Sequence, residues 1–423
     1  MQIVSNLPII FGIVFIALVI GCFQFGIIGK ISKSLLCALI LTPLGLVGYI
    51  MLTIKFYSHG LWLSLVICIG IFLIFICLIW KPFKPKIRKF VMLGLAAVIV
   101  VSPGAVFGVK TVRDSMTIES GEFVDLRDYE PFRENTRVKF LDEPSSLSFE
   151  DNLPRLDGAT ALYPLYSAFA NATYPPADYD VYGKKSGSAV VCTTTAYAFN
   201  NLLDGYADIV FLSDISEQQR AAAKARGLEL NFTPIGKEAF VFFVNKRNSA
   251  TNLTVEDIQG IYSGKITNWK EVGGKNNAIK AYQRSNGSGS QTALEYIMGD
   301  VKIMTPPKED AFDFMGGIYR QVADYKNYKN SLGFSFLYYI TEMIADNKVK
   351  LLSINGVEPS FESITNGTYP FAGDFYAVTV VREYETDIAK LRAENTQKLI
   401  DWILSAQGQE LVEKTGYVPL STK

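Results

Sequence analysis

Residues 284–292 read Arg-Ser-Asn-Gly-Ser-Gly-Ser-Gln-Thr, and the helical pattern Thr292 to Met298 follows directly. A helix start offers unpaired backbone N–H groups and about half a positive charge, so it favours anions. The glycines let the backbone approach a ligand, and Arg284 adds a fixed fork of donors. A flexible turn is the alternative, but an Arg just before the loop and a helix start just after it favour an anion site.

Two further loops of small residues also lead into helical patterns. The first is Asp157-Gly158-Ala159-Thr160-Ala161, in which Thr160 is predicted to cap a helix. The second ends in Thr193-Thr194-Thr195 and precedes the helical stretch Ala196 to Leu203. Each has an ordinary explanation, because Thr is a common N-cap and three successive Thr residues can also end a strand.

Short β-branched or aromatic runs alternate with helical patterns through this part of the chain. Ala207 to Leu212 and Phe240 to Asn245 are predicted to be strands, and Tyr197 to Leu203 a helix. This alternation indicates an α/β fold with largely parallel sheets.

The first 110 residues differ from the rest, since they contain no Asp or Glu. Their apolar runs are Leu7 to Gly29, Leu35 to Ile54, Gly60 to Trp80 and Phe90 to Val109. Each run is about twenty residues, enough to cross a bilayer core of roughly 30 Å as a helix. We therefore predict four transmembrane helices, with a polar linker at 111–152 between them and the rest of the chain.

The distribution of basic residues predicts the orientation of these helices. Lys81, Lys84, Lys86, Arg88 and Lys89 lie in the third loop, which should face the cytoplasm. Four crossings then place the C-terminal module outside the cytoplasm.

Composition excludes several classes of function. Nine Lys and Arg residues lie in the first 110, which leaves 32 against 41 acidic residues, a net charge of about −9 that argues against a nucleic-acid partner. The single histidine, His59, is in a predicted membrane loop, and Cys192 is the one cysteine of the module. No Ser-His-Asp set, Cys-His pair or metal-ligating cluster is evident, so we predict neither catalysis, nor a metal, nor a cofactor.

The module resembles the substrate-binding proteins of bacterial phosphate ABC transporters, which have the type II periplasmic binding-protein fold. The resemblance covers roughly residues 153–420. It rests on four stretches, namely Asp157 to Thr160, Leu253 to Trp269 with its distinctive Ser-Gly-Lys-Ile-Thr-Asn-Trp end, Arg284 to Thr292, and Ser331 to Ser335.

This resemblance implies an α/β module of two lobes preceded by the four transmembrane helices, with the ligand held between the lobes. The expected boundaries are 1–110 for the transmembrane domain, 153–239 with 379–423 for lobe 1, 246–370 for lobe 2, and 240–245 and 371–378 for the hinge strands.

Ligand-binding residues are also implied by position in the family. They are Thr160 and the Ala161 amide in the first loop, Thr194 or Thr195 in the second, and Arg284, Ser288, Gly289 and Ser290 in the third. Family members use an Asp to accept the proton of hydrogen phosphate and so exclude sulfate. Here Ser213 stands at that position with Asp214 beside it, so either residue is a candidate for reading the ligand proton.

The implied function is capture of inorganic phosphate, or a similar tetrahedral oxyanion, for an ABC permease. The protein would be a multi-pass protein of the cell membrane, in contact with lipid through its four helices. A membrane phosphate sensor that uses the same module is the alternative, although only two short loops could carry its signal into the cytoplasm.

Overall fold

The computed structural model describes residues 60–81, 83–116, 124–183, 187–307, 310–313, 315–324, 327, 329–383 and 385–420. Its α-helices are α1 Gly60–Trp80, α2 Pro85–Met116, α3 Tyr163–Thr173, α4 Thr195–Asp204, α5 Glu217–Ala225, α6 Val255–Tyr262, α7 Gly289–Met298, α8 Met315–Ala323, α9 Phe361–Thr365, α10 Asp387–Ile403 and α11 Ala406–Thr415. Its strands are β1 Leu156–Gly158, β2 Ile209–Leu212, β3 Glu229–Asn245, β4 Asn252–Leu253, β5 Lys280–Ala281, β6 Gln283–Arg284, β7 Ala311–Phe312, β8 Ser331–Phe336, β9 Val349–Leu351, β10 Ser353–Ile354 and β11 Ala372–Val381.

Two long antiparallel strands, β3 and β11, lie in the middle of the main sheet. The strand order is β1-β2-β11-β3-β8-β5, and β9 pairs with β3 outside that path. The first part of β3 pairs with β11, with a register shift at Phe375 and Tyr376, and its last part pairs with β8 and β9. The strand β3 therefore connects the half of the sheet that contains β1 and β2 to the half that contains β5 and β8.

The predicted α/β class is confirmed, but the prediction of largely parallel sheets is wrong. In the main sheet, β1 with β2 and β5 with β8 are parallel, whereas every pairing made by β3 or β11 is antiparallel. The apolar run Phe240 to Asn245 is buried, as a central strand requires. A buried run does not reveal strand direction, which depends on how the chain returns to the sheet.

The segment 124–152, part of the predicted linker, lies against the C-terminal module. Tyr129 and Phe149 are buried in the main hydrophobic core. The Asp142 amide donates to Glu410 at 3.1 Å, and the Ser146 amide donates to Gln407 at 2.8 Å. Residues 116–423 form one compact unit that includes this segment.

The N-terminal unit contains α1 and α2, which cover the third and fourth predicted apolar runs. The first two runs lie outside the described residues. Among the helices that the structure describes, none combines the length and the apolar character that a membrane crossing demands. The four-helix anchor stays a prediction from the sequence.

Candidate functional site

A buried carboxylate at β1 holds the second loop beside the first. Asp157 accepts hydrogen bonds from the Thr193 amide at 2.8 Å, the Thr193 hydroxyl at 2.6 Å and Asn201 Nδ2 at 2.8 Å. The Gly158 amide donates to it as well, at 2.8 Å. Burial raises the pKa of Asp157, and the bonds from Thr193 and Asn201 oppose that rise. Because both carboxylate oxygens are engaged within the protein, Asp157 positions the two loops.

The second loop enters α4 through a strained residue. Thr194 has a φ of 72°, which a β-branched residue rarely adopts, and its side chain makes no capping bond to the helix. Such strain persists where the surrounding structure imposes it, often at functional sites. The conformation leaves the first-turn N–H groups of α4 without a side-chain acceptor from the cap, next to the hydroxyl of Thr195.

The first loop ends in a turn of 3₁₀-helix at Thr160–Leu162, which leads into α3. The prediction that Thr160 caps a helix is wrong, since the cap positions are Ala159 and Leu162 and neither side chain makes a capping bond. The Ala161 carbonyl accepts a hydrogen bond from the Tyr417 hydroxyl. The first backbone hydrogen bond of this turn is donated by the Leu162 amide to the Ala159 carbonyl, at 3.0 Å. The Ala161 amide lies one residue before that donor.

A buried thiol joins the first and second loops. Cys192 donates to the Gly158 carbonyl at a sulfur–oxygen distance of 3.6 Å. Its thiol also lies beside Thr160 and the backbone of Thr194. Burial raises the pKa of Cys192 to about 12, so the thiol is neutral and acts as a packed structural group.

The third loop begins α7 with a true cap. The Ser288 hydroxyl accepts from the Gln291 amide at 3.3 Å, and it keeps its own proton for donation. Gln291 in turn accepts from the Arg284 amide at 2.9 Å, so the Arg284 backbone is fixed against the helix start. Gly289 and Ser290 follow at the first two positions of the helix, and both are buried.

The Arg284 side chain is held by neutral groups. Its Nε donates to the Phe312 carbonyl at 3.1 Å, Nη2 to the Asp313 carbonyl at 2.9 Å and Nη1 to the Ser290 hydroxyl at 3.2 Å. A guanidinium has five N–H donors, so Nη1 and Nη2 each keep one. Among the described residues, no carboxylate forms an ion pair with Arg284. Burial lowers the pKa of Arg284 to about 10, which leaves it cationic at neutral pH.

The starts of α4 and α7 meet beside the end of β2. A Cβ atom placed on Gly289 would lie 3.0 Å from Thr195 Oγ1 and 3.7 Å from Ser213 Oγ. The structure therefore brings Thr195, Ser213 and Gly289 into direct proximity, with Ser290 and Arg284 joined to them through α7. Thr160 and Thr194 meet at the Cys192 thiol.

A cavity of about 410 Å³ adjoins this cluster, and Ala161, Ser213 and Asp214 are part of its wall. We call it the hinge cavity, because it also contacts β3 and β11. The Asp214 carboxylate oxygen Oδ1 is 2.5 Å from Arg220 Nη2 and accepts the Ile215 amide at 2.7 Å. Its charge is thus neutralised by Arg220. Of the two candidates, Ser213 has its hydroxyl near Gly289, alongside the hydroxyl of Thr195.

Several known proteins are similar to the C-terminal module. Residues 152–407, more than half of the chain, match the family described as PBP superfamily domain. The phosphate-binding protein PstS of Bacillus subtilis is 26% identical over 272 residues, which are 63% of this chain and 80% of that protein. The phosphate-binding protein PstS of Borreliella burgdorferi is 27% identical over 194 residues, which are 45% of this chain and 66% of that protein.

Among solved structures, an ABC-type phosphate transport receptor from Vibrio cholerae is 21% identical with a TM-score of 0.45, over 63% of this chain and 99% of that chain. The curated relatives carry the name of binding proteins and not of enzymes, in agreement with the prediction of no catalysis. The match over residues 152–407 includes all three loops and the strands that position them, so the chain belongs to the PBP superfamily.

Proposed function

We propose that the module captures inorganic phosphate, or a similar tetrahedral oxyanion, outside the cytoplasm and delivers it to the permease of an ABC transporter. The names of the relatives support phosphate as the ligand. The local chemistry supports an anion, because the starts of α4 and α7 meet with the hydroxyls of Thr195 and Ser213, and Ser290 of α7 contacts the cationic Arg284 side chain.

One observation carries the proposal: Arg284 is a partly buried cation whose hydrogen bonds go to hydroxyl and carbonyl oxygens. No carboxylate of the described residues forms an ion pair with it, and the Asp313 charge acts on it only from a greater distance. A buried charge is costly unless a counter-charge accompanies it. The lowered pKa of Arg284 has burial as its cause and expresses that cost. An oxyanion bound at the start of α7 would supply the missing negative charge.

Delivery by such a protein requires that the ligand be enclosed and then released. We propose that residues 153–239 with 379–423 form lobe 1 and that residues 246–370 form lobe 2. The strands β3 and β11 would connect the two lobes. The predicted lobes touch at Gly289 and Thr195, and the Tyr296 hydroxyl of α7 donates to the Ile215 carbonyl at 3.2 Å. Opening these contacts would expose the starts of α4 and α7 to solvent.

Calorimetry with the full chain in detergent, freed of bound anion, tests the binding. We expect phosphate to bind with micromolar or tighter affinity, and Arg284→Ala to weaken it by about 2 to 5 kcal/mol, which is roughly 30-fold or more. Arg226→Ala is the matched control, since Arg226 is an exposed arginine paired with Asp204 at 2.5 Å. Heats no greater than a buffer blank for the unaltered chain would refute the proposal.

We also propose that the four apolar runs anchor the protein in the membrane. The support is their length and the absence of acidic residues before residue 111. The full chain should stay in the membrane fraction after extraction with alkaline carbonate, whereas residues 116–423 should be released. Release of the full chain by carbonate would contradict the anchor.

A further inference from the structure

The hinge cavity is larger than an inorganic oxyanion requires. A tetrahedral oxyanion has one central atom and four oxygens, whereas cavities of about 300 Å³ or more accommodate organic ligands. The cavity volume is about 410 Å³. It has this size even though the two predicted lobes are in contact, with Gly289 close to Thr195 and the Tyr296 hydroxyl bonded to the Ile215 carbonyl. The space is therefore present while the two sides of the site are in contact.

The charge of this cavity differs from that of the adjacent anion site. Its wall includes the acidic residues Glu238, Asp214 and Asp374 and no Lys or Arg among the described residues. Asp214 is neutralised by Arg220. The remaining carboxyl groups make the cavity suited to a cation, next to a site suited to an anion.

Glu238 is the buried carboxyl of this cavity. It lies on β3 with 9% of its surface exposed, and one oxygen accepts the Tyr338 amide at 2.8 Å. It makes no other side-chain hydrogen bond or ion pair with the described residues. A buried carboxylate with one bond is costly, so a proton or a cation is needed to neutralise it.

Aromatic side chains surround the same space. Five aromatic rings contribute to the cavity wall, namely those of Phe240, Phe336, Phe371, Phe375 and Tyr296. Aromatic rings attract ammonium groups through their negative faces, and a carboxylate among such rings is a common arrangement for binding a small amine. An apolar ligand would be accommodated by the rings, but it would offer Glu238 no positive charge beyond its bond from the Tyr338 amide.

We propose that the preferred ligand is a phosphonate or phosphate monoester with a short amino group, whose phosphoryl oxygens occupy the anion site and whose ammonium contacts Glu238. This inference rests on the proposed anion site, because the phosphoryl end uses the loops around Arg284. The hinge cavity would hold the organic part and its amine.

Ammonium binding should displace a proton. Burial raises the pKa of Glu238 to about 8, so the empty cavity holds a protonated carboxyl at pH 7. The titratable groups next to Glu238 are Tyr338 and Tyr417, and those that share its cavity wall are Asp214, Tyr296 and Asp374. None of these groups can carry a positive charge, so the ammonium of the ligand would be the cation that replaces the proton.

Calorimetry on the full chain in detergent tests whether the amino group adds affinity. Three probes are compared: 2-aminoethylphosphonate, ethylphosphonate and inorganic phosphate. We expect the amino compound to bind at least tenfold more tightly than ethylphosphonate. In Glu238→Gln this ratio should fall close to one while the phosphate Kd changes less than twofold. Titrations at pH 7 in buffers of different ionisation enthalpy should show more proton release for the amino compound with the unaltered chain than with Glu238→Gln.

A second variant keeps the test valid if Glu238→Gln fails to fold. Phe371→Leu keeps an apolar wall but removes one ring, so it should reduce the preference for the amino compound and leave phosphate binding intact. Equal affinities for the two phosphonates, or a preference that survives Glu238→Gln, would overturn the inference. Binding of phosphate but of neither phosphonate would overturn it as well. If none of the three probes binds, the proposed function itself fails.

Discussion

The pH dependence of stability tests the environment of Glu238 without any ligand. Burial raises its pKa from an ordinary value of 4.5 to about 8 in the folded protein. Between these two values the folded state holds a proton that the unfolded state has released. Stability should therefore be highest below pH 4.5 as far as this group is concerned, and should decrease as pH rises towards 8.

The size of this loss of stability follows from the difference between the two pKa values of Glu238. One bound proton changes the free energy of unfolding by about 1.4 kcal/mol per pH unit, so the loss between the two pKa values is of the order of 4 to 5 kcal/mol. The single hydrogen bond from the Tyr338 amide, at 2.8 Å, lowers the pKa and offsets part of the burial effect. The amide side chain introduced by Glu238→Gln cannot titrate, yet its carbonyl oxygen can accept the same bond.

Chemical denaturation of residues 116–423 at pH 5, 6, 7 and 8, without phosphate, measures this effect. The difference in unfolding free energy between Glu238→Gln and the unaltered module should increase with pH by about 1.4 kcal/mol per unit. Other groups with shifted pKa values, such as Asp157, cancel in this difference. A difference that stays constant across the series would refute the burial of an unpaired Glu238.

Two further changes address the anion site. Ser213→Asp would place an acidic acceptor at the end of β2. Competition assays should then show sulfate discriminated against by about 1 to 3 kcal/mol more than in the unaltered protein. Unchanged competition by sulfate would contradict the placement of Ser213 at the anion site. In Gly289→Ala the new methyl group would be 3.0 Å from Thr195 Oγ1, so we expect phosphate affinity to fall roughly tenfold by calorimetry. Gly94→Ala, with open space around its Cβ position, is the control for that change, and equal affinities in the two variants would refute the predicted contact.

Local patterns were sufficient to predict the elements around the site. The helix after the Arg284 loop is α7, and the predicted strand Ala207 to Leu212 corresponds to β2. The first part of β3 was missed, because residues 229–239 include polar and partly exposed positions that obscure a strand pattern. Its length depends on pairing with β11, more than a hundred residues later, and pairing at that separation leaves no local signal.

Individual residues around the site also divide into those that a local pattern predicts and those that depend on contacts distant in sequence. Ser288, Gly289 and Ser290 are at the helix start as the loop composition predicted. Glu238 was missed, since a Lys-Glu pair in sequence suggests a solvated surface. In the fold it is buried, and the amide that donates to it belongs to Tyr338, a hundred residues away. The ion pair of Asp214 with Arg220 is another contact that composition did not reveal.

The buried carboxyl of the cavity lies on a different strand from the acid that the family resemblance implies. The family resemblance places an acid at the end of β2, where it would accept a proton from the phosphate itself. The resemblance implies Ser213 at that position, and its neighbour Asp214 is neutralised by Arg220. The buried carboxyl of the cavity is Glu238 on β3, which shares the cavity wall with the aromatic rings. Under the inference above, this carboxyl would therefore read a second group on the ligand and not the proton of an inorganic anion.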